Sequence, residues 1–131
     1  MTIATHFKSE RKGRGDAYDS DHSGSHQALF MRRTSYALAP LGALSAWFLL
    51  GVAGKPLEGV RAEIGRPFPA LVLIAFAVIA MLHARQGMNE IIEDYVHDEA
   101  LKAKAFVANK WIALAVAAIW VVAILIIAAP R

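Results

Sequence analysis

The stretch Leu71–His97, which reads LVLIAFAVIAMLHARQGMNEIIEDYVH, decides the fold of this chain. Its first twelve residues are all apolar, and a helix built on such a run is typical of a membrane span. His83 follows the run while still at membrane depth, and Asp94 and Tyr95 lie near the end of the stretch. A histidine inside the hydrocarbon region is costly and marks a functional site. What His83 binds therefore decides the function.

Composition agrees with a membrane protein and narrows the chemistry. The chain has 131 residues, 56% of them hydrophobic, and long stretches carry no charge. It has no cysteine, which excludes disulfides, thiolate metal sites and iron–sulfur ligation by this chain. A haem bound here would need histidine or methionine as its ligand from this chain.

We predict an all-α protein with three transmembrane helices, at residues 33–53, 67–95 and 106–129. Each segment has at least the roughly 20 residues that a bilayer requires. Residues 1–25 are polar and form an N-terminal tail, and residues 26–131 form the membrane domain. The tail is either solvated and flexible or ordered against a partner at the membrane surface. Because the first thirty residues lack the apolar core of a signal peptide, we expect the first span to direct insertion.

Basic residues predict the orientation of the three spans. Nine lysines and arginines flank the spans on the N-terminal side of the membrane, against four on the other side. The positive-inside rule then puts the N-terminus in the cytoplasm, or in the matrix for an organellar protein. Tyr95 is expected at the cytoplasmic face and His83 nearer the middle of the membrane. The basic tail is short and interrupted by acids, so nucleic acid is not expected as a partner.

His83 belongs to a polar stripe on one face of the second span. With about 100° of rotation per residue, Gln86, Gly87, Glu90 and Asp94 all lie within roughly 60° of His83. Three interpretations of His83 remain open from the residues alone: a hydrogen bond to a neighbouring helix, a proton relay, or axial ligation of a haem. A haem with protein ligands at both axial positions of its iron would require a second chain, because no other histidine of this chain lies within a span.

Asp94 and Tyr95 also have two interpretations. Tyrosine is common at membrane interfaces for purely structural reasons. Alternatively, the Tyr95 hydroxyl donates to a quinone carbonyl, on which charge develops during reduction, and Asp94 supports it.

Two motifs together resemble a known family. The second span carries His83-Ala-Arg-Gln-Gly87 and, at its end, Asp94-Tyr95. The entry to the first span reads Ser25-His26-Gln-Ala-Leu-Phe-Met-Arg32-Arg33-Thr34. This pattern of residues and spacing resembles the small hydrophobic membrane-anchor subunits of succinate dehydrogenase, respiratory complex II.

The resemblance implies a role for each motif residue. His83 would be one axial ligand of haem b, with the second histidine from a larger, cytochrome b-type anchor subunit that also has three helices. Tyr95 would contact ubiquinone, or menaquinone, and Asp94 would support that site. Arg32 and His26 would lie near the haem propionates. Further partners would be the iron–sulfur subunit and the flavoprotein subunit. The N-terminal tail would be a candidate docking segment for the iron–sulfur subunit.

The resemblance also implies that the chain is not catalytic alone and that it lies in the bacterial inner membrane, or in the mitochondrial one.

Other functions remain open at this point. The anchor subunit of a quinol:fumarate reductase would have the same haem ligand and quinone site, but electrons would flow from the quinol to fumarate. A non-redox membrane protein would explain three spans but not the motif residues in register. Arg85 lies about 200° from His83, away from the stripe, and has no role in any of these interpretations.

Overall fold

The computed structural model describes the backbone of residues 2–130 and the side chains of residues 26–130. Within that range the chain forms four helices and no strand: α1 (Thr2–Val52), α2 (Leu57–Ile64), α3 (Pro67–Tyr95) and α4 (Glu99–Ala128). The prediction of an all-α fold is confirmed.

Backbone contacts divide the chain into two units, Met1–Arg32 and Arg33–Arg131. In the first unit, the described side chains from His26 to Phe30 are exposed, as is that of Arg32. The second unit contains the remainder of α1 and the other three helices. The side chains of the polar tail, residues 1–25, lie outside the described residues, so the role of the tail stays a prediction.

Three helical segments are long and apolar enough to cross a membrane: His26–Val52, Pro67–Tyr95 and Glu99–Ala128. The prediction of three membrane spans is thereby confirmed. The middle helix begins and ends where the sequence pattern placed it. Helix α4 starts seven residues before the predicted apolar span because Asp98 caps it, its side chain accepting a hydrogen bond from the Leu101 N–H at 2.7 Å.

The connector between the first two spans contains the short helix α2. Gly54 takes a left-handed backbone conformation (φ 76°), which glycine adopts without steric cost, and Pro56 then leads into the helix. Gly65 ends it, at a position where an added Cβ would clash with the Arg61 carbonyl oxygen. Lys55 forms an ion pair with Glu63 at 3.2 Å, joining the connector to α2.

A small apolar core lies at the end of the Arg33–Arg131 unit where α2 is found. Its buried members come from all four helices: Val52, Ile64, Ala70, Leu73 and Ile124. Val60 of α2 and Ile127 of α4 pack against this core. On α1, Phe48 meets Phe68 of α3 edge to face, with ring centroids 6.0 Å apart. This core packs the three spans together at the end where α2 lies.

Most of the apolar surface of the spans is not covered by the chain itself. Only 11%, 28% and 6% of the most apolar windows of the three spans are buried. Trp47, Leu50 and Ile119 each leave 70% or more of their surface exposed. Such surface is stable in contact with lipid tails or with other membrane subunits, not with water.

Candidate functional site around His83

His83 lies in the second half of α3 and contacts the first span. Its ring atom Nδ1 is 2.7 Å from the Thr34 hydroxyl oxygen of α1, a hydrogen bond between residues 49 positions apart. The imidazole is half-buried. A hydroxyl–imidazole contact between two membrane helices fixes the ring in one orientation.

The contact with Thr34 occupies the ring nitrogen Nδ1 and leaves the second ring nitrogen, Nε2, available for another partner. Nε2 has no hydrogen-bond partner among the side chains of residues 26–130. When a histidine binds a metal through one nitrogen, the other nitrogen usually carries the proton and donates it to an oxygen. In the tautomer with its proton on Nδ1, His83 would donate to the Thr34 hydroxyl and leave the Nε2 lone pair for a metal.

No cluster of three or more histidine, cysteine, aspartate or glutamate side chains suited to a metal ion occurs between residues 26 and 130. A bare metal ion is usually held by three or four protein ligands. In a haem, four porphyrin nitrogens already bind the iron, so the protein supplies only one or two axial ligands. A single imidazole such as that of His83 meets the requirement for one axial ligand of a haem.

The other stripe residues lead from His83 toward the end of α3. Gln86 is half-buried, and Glu90 and Asp94 are exposed. Tyr95 is the last residue of the helix, and 78% of its surface is exposed. It lies roughly 18 Å from His83 along the helix axis, at 1.5 Å per residue. The two predicted site residues therefore belong to separate places on one helix.

The chain turns sharply immediately after Tyr95. The Val96 N–H donates to the Ile92 carbonyl at 3.0 Å, and the backbone then leaves the helix for residues 96–98. The His97 Nδ1 atom lies within hydrogen-bonding distance, 3.1 Å, of the Tyr95 carbonyl oxygen. Tyr95 is thus placed at the helix end with a largely exposed side chain.

The side of α3 opposite the stripe faces α4. The Asn109 side-chain amide donates both to the Arg85 carbonyl oxygen at 2.9 Å and to the Asn89 side-chain oxygen at 2.8 Å. Sequence reasoning gave neither asparagine a role. The sequence could have predicted this contact, because an amide side chain within an apolar helix usually forms a hydrogen bond to a neighbouring helix. This contact leaves the His83 face of α3 turned away from α4.

Arg85, which had no assigned role, lies along the contact with α4. It lines a groove between α3 and α4, and its Nε atom is buried with no hydrogen-bond partner among residues 26–130. His26 and Arg32 are exposed and belong to the N-terminal unit, separate from the unit that holds His83.

Comparison with known proteins identifies the family. Residues 17–127 match the family of succinate dehydrogenase/fumarate reductase transmembrane subunits. The chain is 30% identical over 102 residues to the succinate dehydrogenase hydrophobic membrane anchor subunit of Rickettsia felis, covering 78% of this chain and 85% of that one. It is 32% identical over 84 residues to the subunit of the same name from Paracoccus denitrificans, covering 64% and 65%. No solved structure matches the chain significantly. The chain therefore belongs to the family of succinate dehydrogenase/fumarate reductase transmembrane subunits.

Proposed function

We propose that this multi-pass membrane protein anchors a succinate:quinone oxidoreductase to the membrane and that His83 is an axial ligand of haem b. The observation that carries the proposal is the hydrogen bond between the His83 ring and Thr34. It supports a ring held in one orientation, in which Nε2 would be available to the iron. The second axial ligand would come from a cytochrome b-type anchor subunit, because His83 is the one histidine at depth in this chain.

The residues of this chain would bind and orient the cofactor. Haem b supplies a site that accepts and releases one electron at a time. His83 holds the iron, and Thr34 keeps the ring in the tautomer that presents the Nε2 lone pair. Arg32, and His26 with it, would serve the negatively charged propionates, since both are exposed near the start of the first span.

We further propose that Tyr95 donates a hydrogen bond to ubiquinone or menaquinone at the end of α3. Charge develops on the quinone oxygens during reduction, and a hydroxyl held at a fixed point stabilises it. Asp94, one residue before Tyr95, would orient the donor or a neighbouring cation. Both side chains are exposed in the isolated chain, so the walls of the site would come from partner subunits.

The partners follow from the same proposal. Succinate oxidation would take place in a flavoprotein subunit, and electrons would reach the quinone through an iron–sulfur subunit docked at the Tyr95 end. The chain itself would catalyse no step of the tricarboxylic acid cycle. The positive-inside pattern supports an N-terminus in the cytoplasm for a bacterial inner membrane location, or in the matrix for a mitochondrial one. The polar tail, residues 1–25, would lie on the iron–sulfur side.

A reduced-minus-oxidised absorption spectrum of the purified complex tests the haem assignment. His83→Ala is expected to remove or strongly perturb the haem b bands, because one of the two axial ligands is lost. His97→Ala is the matched control, since His97 lies outside the spans, and it is expected to keep the wild-type spectrum. A normal spectrum in the His83→Ala complex would overturn the assignment.

A quinol:fumarate reductase is the second candidate, because the family description names both enzymes. The two directions share the anchor, the haem ligand and the quinone site. Assaying the purified complex in both directions, with succinate plus ubiquinone and with menaquinol plus fumarate, distinguishes them. A faster rate of succinate oxidation supports the first candidate.

A further inference from the structure

A groove of about 380 Å³ runs between α3 and α4. Apolar side chains form most of its walls: Val78, Met81 and Leu82 on α3, and Leu114, Ala117 and Val121 on α4. Leu82 and Leu114 are about half exposed (45% and 54%), so the groove opens to the surroundings of the helix pair. An apolar groove that opens toward lipid is suited to an acyl chain.

Two cations lie at one end of this groove. Arg85 is its last lining residue on α3, and Lys110 is its first lining residue on α4. The two helices run antiparallel, since Asn109 contacts Asn89 while Ile124 packs near Leu73. The two cations are therefore at the same level along the helix pair.

Arg85 has no acidic partner among the side chains of residues 26–130. Its Nε atom is buried and has no hydrogen-bond partner within that range, and the Asn109 amide donates to the Arg85 backbone carbonyl instead. None of the groove-lining residues in the described part of the chain is acidic. A buried cationic donor without a partner is destabilising, so an anion at this point would be strongly favoured.

The depth of the two cations matches a lipid headgroup. Arg85 lies 18 residues after Pro67, and Lys110 lies 18 residues before Ala128. At 1.5 Å per residue each is about 27 Å from the far end of its helix. The hydrocarbon core is about 30 Å thick, so both cations lie in the half of the membrane toward the Tyr95 end, and their long side chains can extend from there to the headgroup boundary.

Trp111 independently marks the same depth. It is 60% exposed, and the Lys110 Nζ atom lies 5.9 Å from its ring centroid. Exposed tryptophans concentrate where the hydrocarbon meets the headgroups. A basic pocket between transmembrane helices at this level is typical of anionic lipid binding.

We propose that this groove binds one anionic glycerophospholipid from the leaflet at the Tyr95 end. Its phosphate contacts Arg85 and Lys110, and one acyl chain lies along the apolar walls toward Val121. The site is on the opposite side of α3 from His83, about 200° around the helix. It therefore stands whether or not His83 binds a haem.

Native mass spectrometry of the detergent-solubilised complex, titrated with dioleoylphosphatidylglycerol or dioleoylphosphatidylcholine, tests the proposal. The wild-type complex is expected to bind phosphatidylglycerol more tightly at one site. Arg85→Gln and Lys110→Gln are each expected to weaken that binding about five-fold, the usual contribution of one basic residue near a charged lipid surface. Arg85→Lys is expected to restore most of it.

Lys104→Gln is the matched control, because Lys104 is an exposed cation on the same helix but does not line the groove. It should leave the affinity nearly unchanged. Equal affinity of the wild-type complex for the two lipids would overturn the proposal, and this comparison requires no variant to assemble. Equal weakening by Lys104→Gln, or a partner subunit's carboxylate bonded to Arg85 in a density map, would also overturn it.

Discussion

The two ends of the Arg33–Arg131 unit are built differently. At the α2 end, all four helices contribute buried apolar side chains to one core, with Leu73 only 1% exposed. At the Tyr95 end, the helices meet through hydrogen bonds, from His83 to Thr34 and from Asn109 to Asn89. Beyond these contacts, the polar residues at the end of α3 are exposed: Glu90, Glu93, Asp94 and Tyr95.

The difference shows which part of the fold the chain completes by itself. Apolar packing at the α2 end holds the helices together without other subunits. Polar groups at the other end are costly in lipid unless something satisfies them. The end that carries the candidate site is therefore the end that we expect cofactors and partner chains to complete.

The largest effect on the packed end is expected from Leu73→Ala. Truncating this buried side chain leaves a cavity and should destabilise the folded subunit by about 2–3 kcal/mol. The thermal unfolding midpoint of the purified complex measures the loss. The absorption spectrum of complex that still assembles should be normal, because the core is distant from His83.

Leu71→Ala is the control for this substitution. Leu71 lies two residues away on the same helix and is 65% exposed, so its truncation leaves no cavity. Its effect on stability is expected to stay below about 0.5 kcal/mol. Equal loss of stability in the two variants would show that the α2 end is not the packed core.

At the open end, Tyr95→Phe is expected to lower quinone reduction about 100-fold, the typical loss when one donor to a developing negative charge is removed. The haem spectrum and the reduction of an artificial dye by succinate should remain normal. Steady-state assays with ubiquinone and with the dye separate these steps.

Tyr36→Phe provides the comparison, since it removes another exposed tyrosine hydroxyl, from α1. It should leave the rate of quinone reduction unchanged. A wild-type rate in the Tyr95→Phe complex would remove Tyr95 from the proposed quinone site.

A smaller effect is expected from Thr34→Val, which removes the hydroxyl that holds His83 while keeping the side-chain shape. Loss of a group that orients a metal ligand typically weakens binding of the metal group about ten-fold. The haem potential should shift as well, because the imidazole loses its hydrogen-bond acceptor. Thr34→Ser should restore both, and an unchanged potential in Thr34→Val would mean that Thr34 does not act through His83.

Much of the fold was predictable from local patterns. The bounds of α3 follow from an apolar run that starts at a proline and ends at the acidic, aromatic residues 93–95. Helix α2 was missed because its eight residues include glycine and three charges, and Val60 and Ile64 become helix-stabilising only against the core. The early start of α4 depends on the Asp98 cap, a signal that the apolar pattern does not carry.

The candidate site was predictable only in part. Helical rotation placed His83 and Asp94 on one face and Arg85 on the other, and the contact of α4 with Asn89 on the Arg85 side agrees with that division. The partner of His83 was not predictable, because Thr34 lies 49 residues earlier and only tertiary packing brings the two together. The roles of His26 and Arg32 stay predictions.

A density map of the purified complex, resolved well enough to show the His83 ring, tests the haem assignment most directly. We predict an iron porphyrin on the Nε2 side of His83, a second histidine from another subunit on its opposite face, and Thr34 bonded to Nδ1. A ring that faces lipid, or that bonds only to protein with no macrocycle beside it, would contradict the assignment.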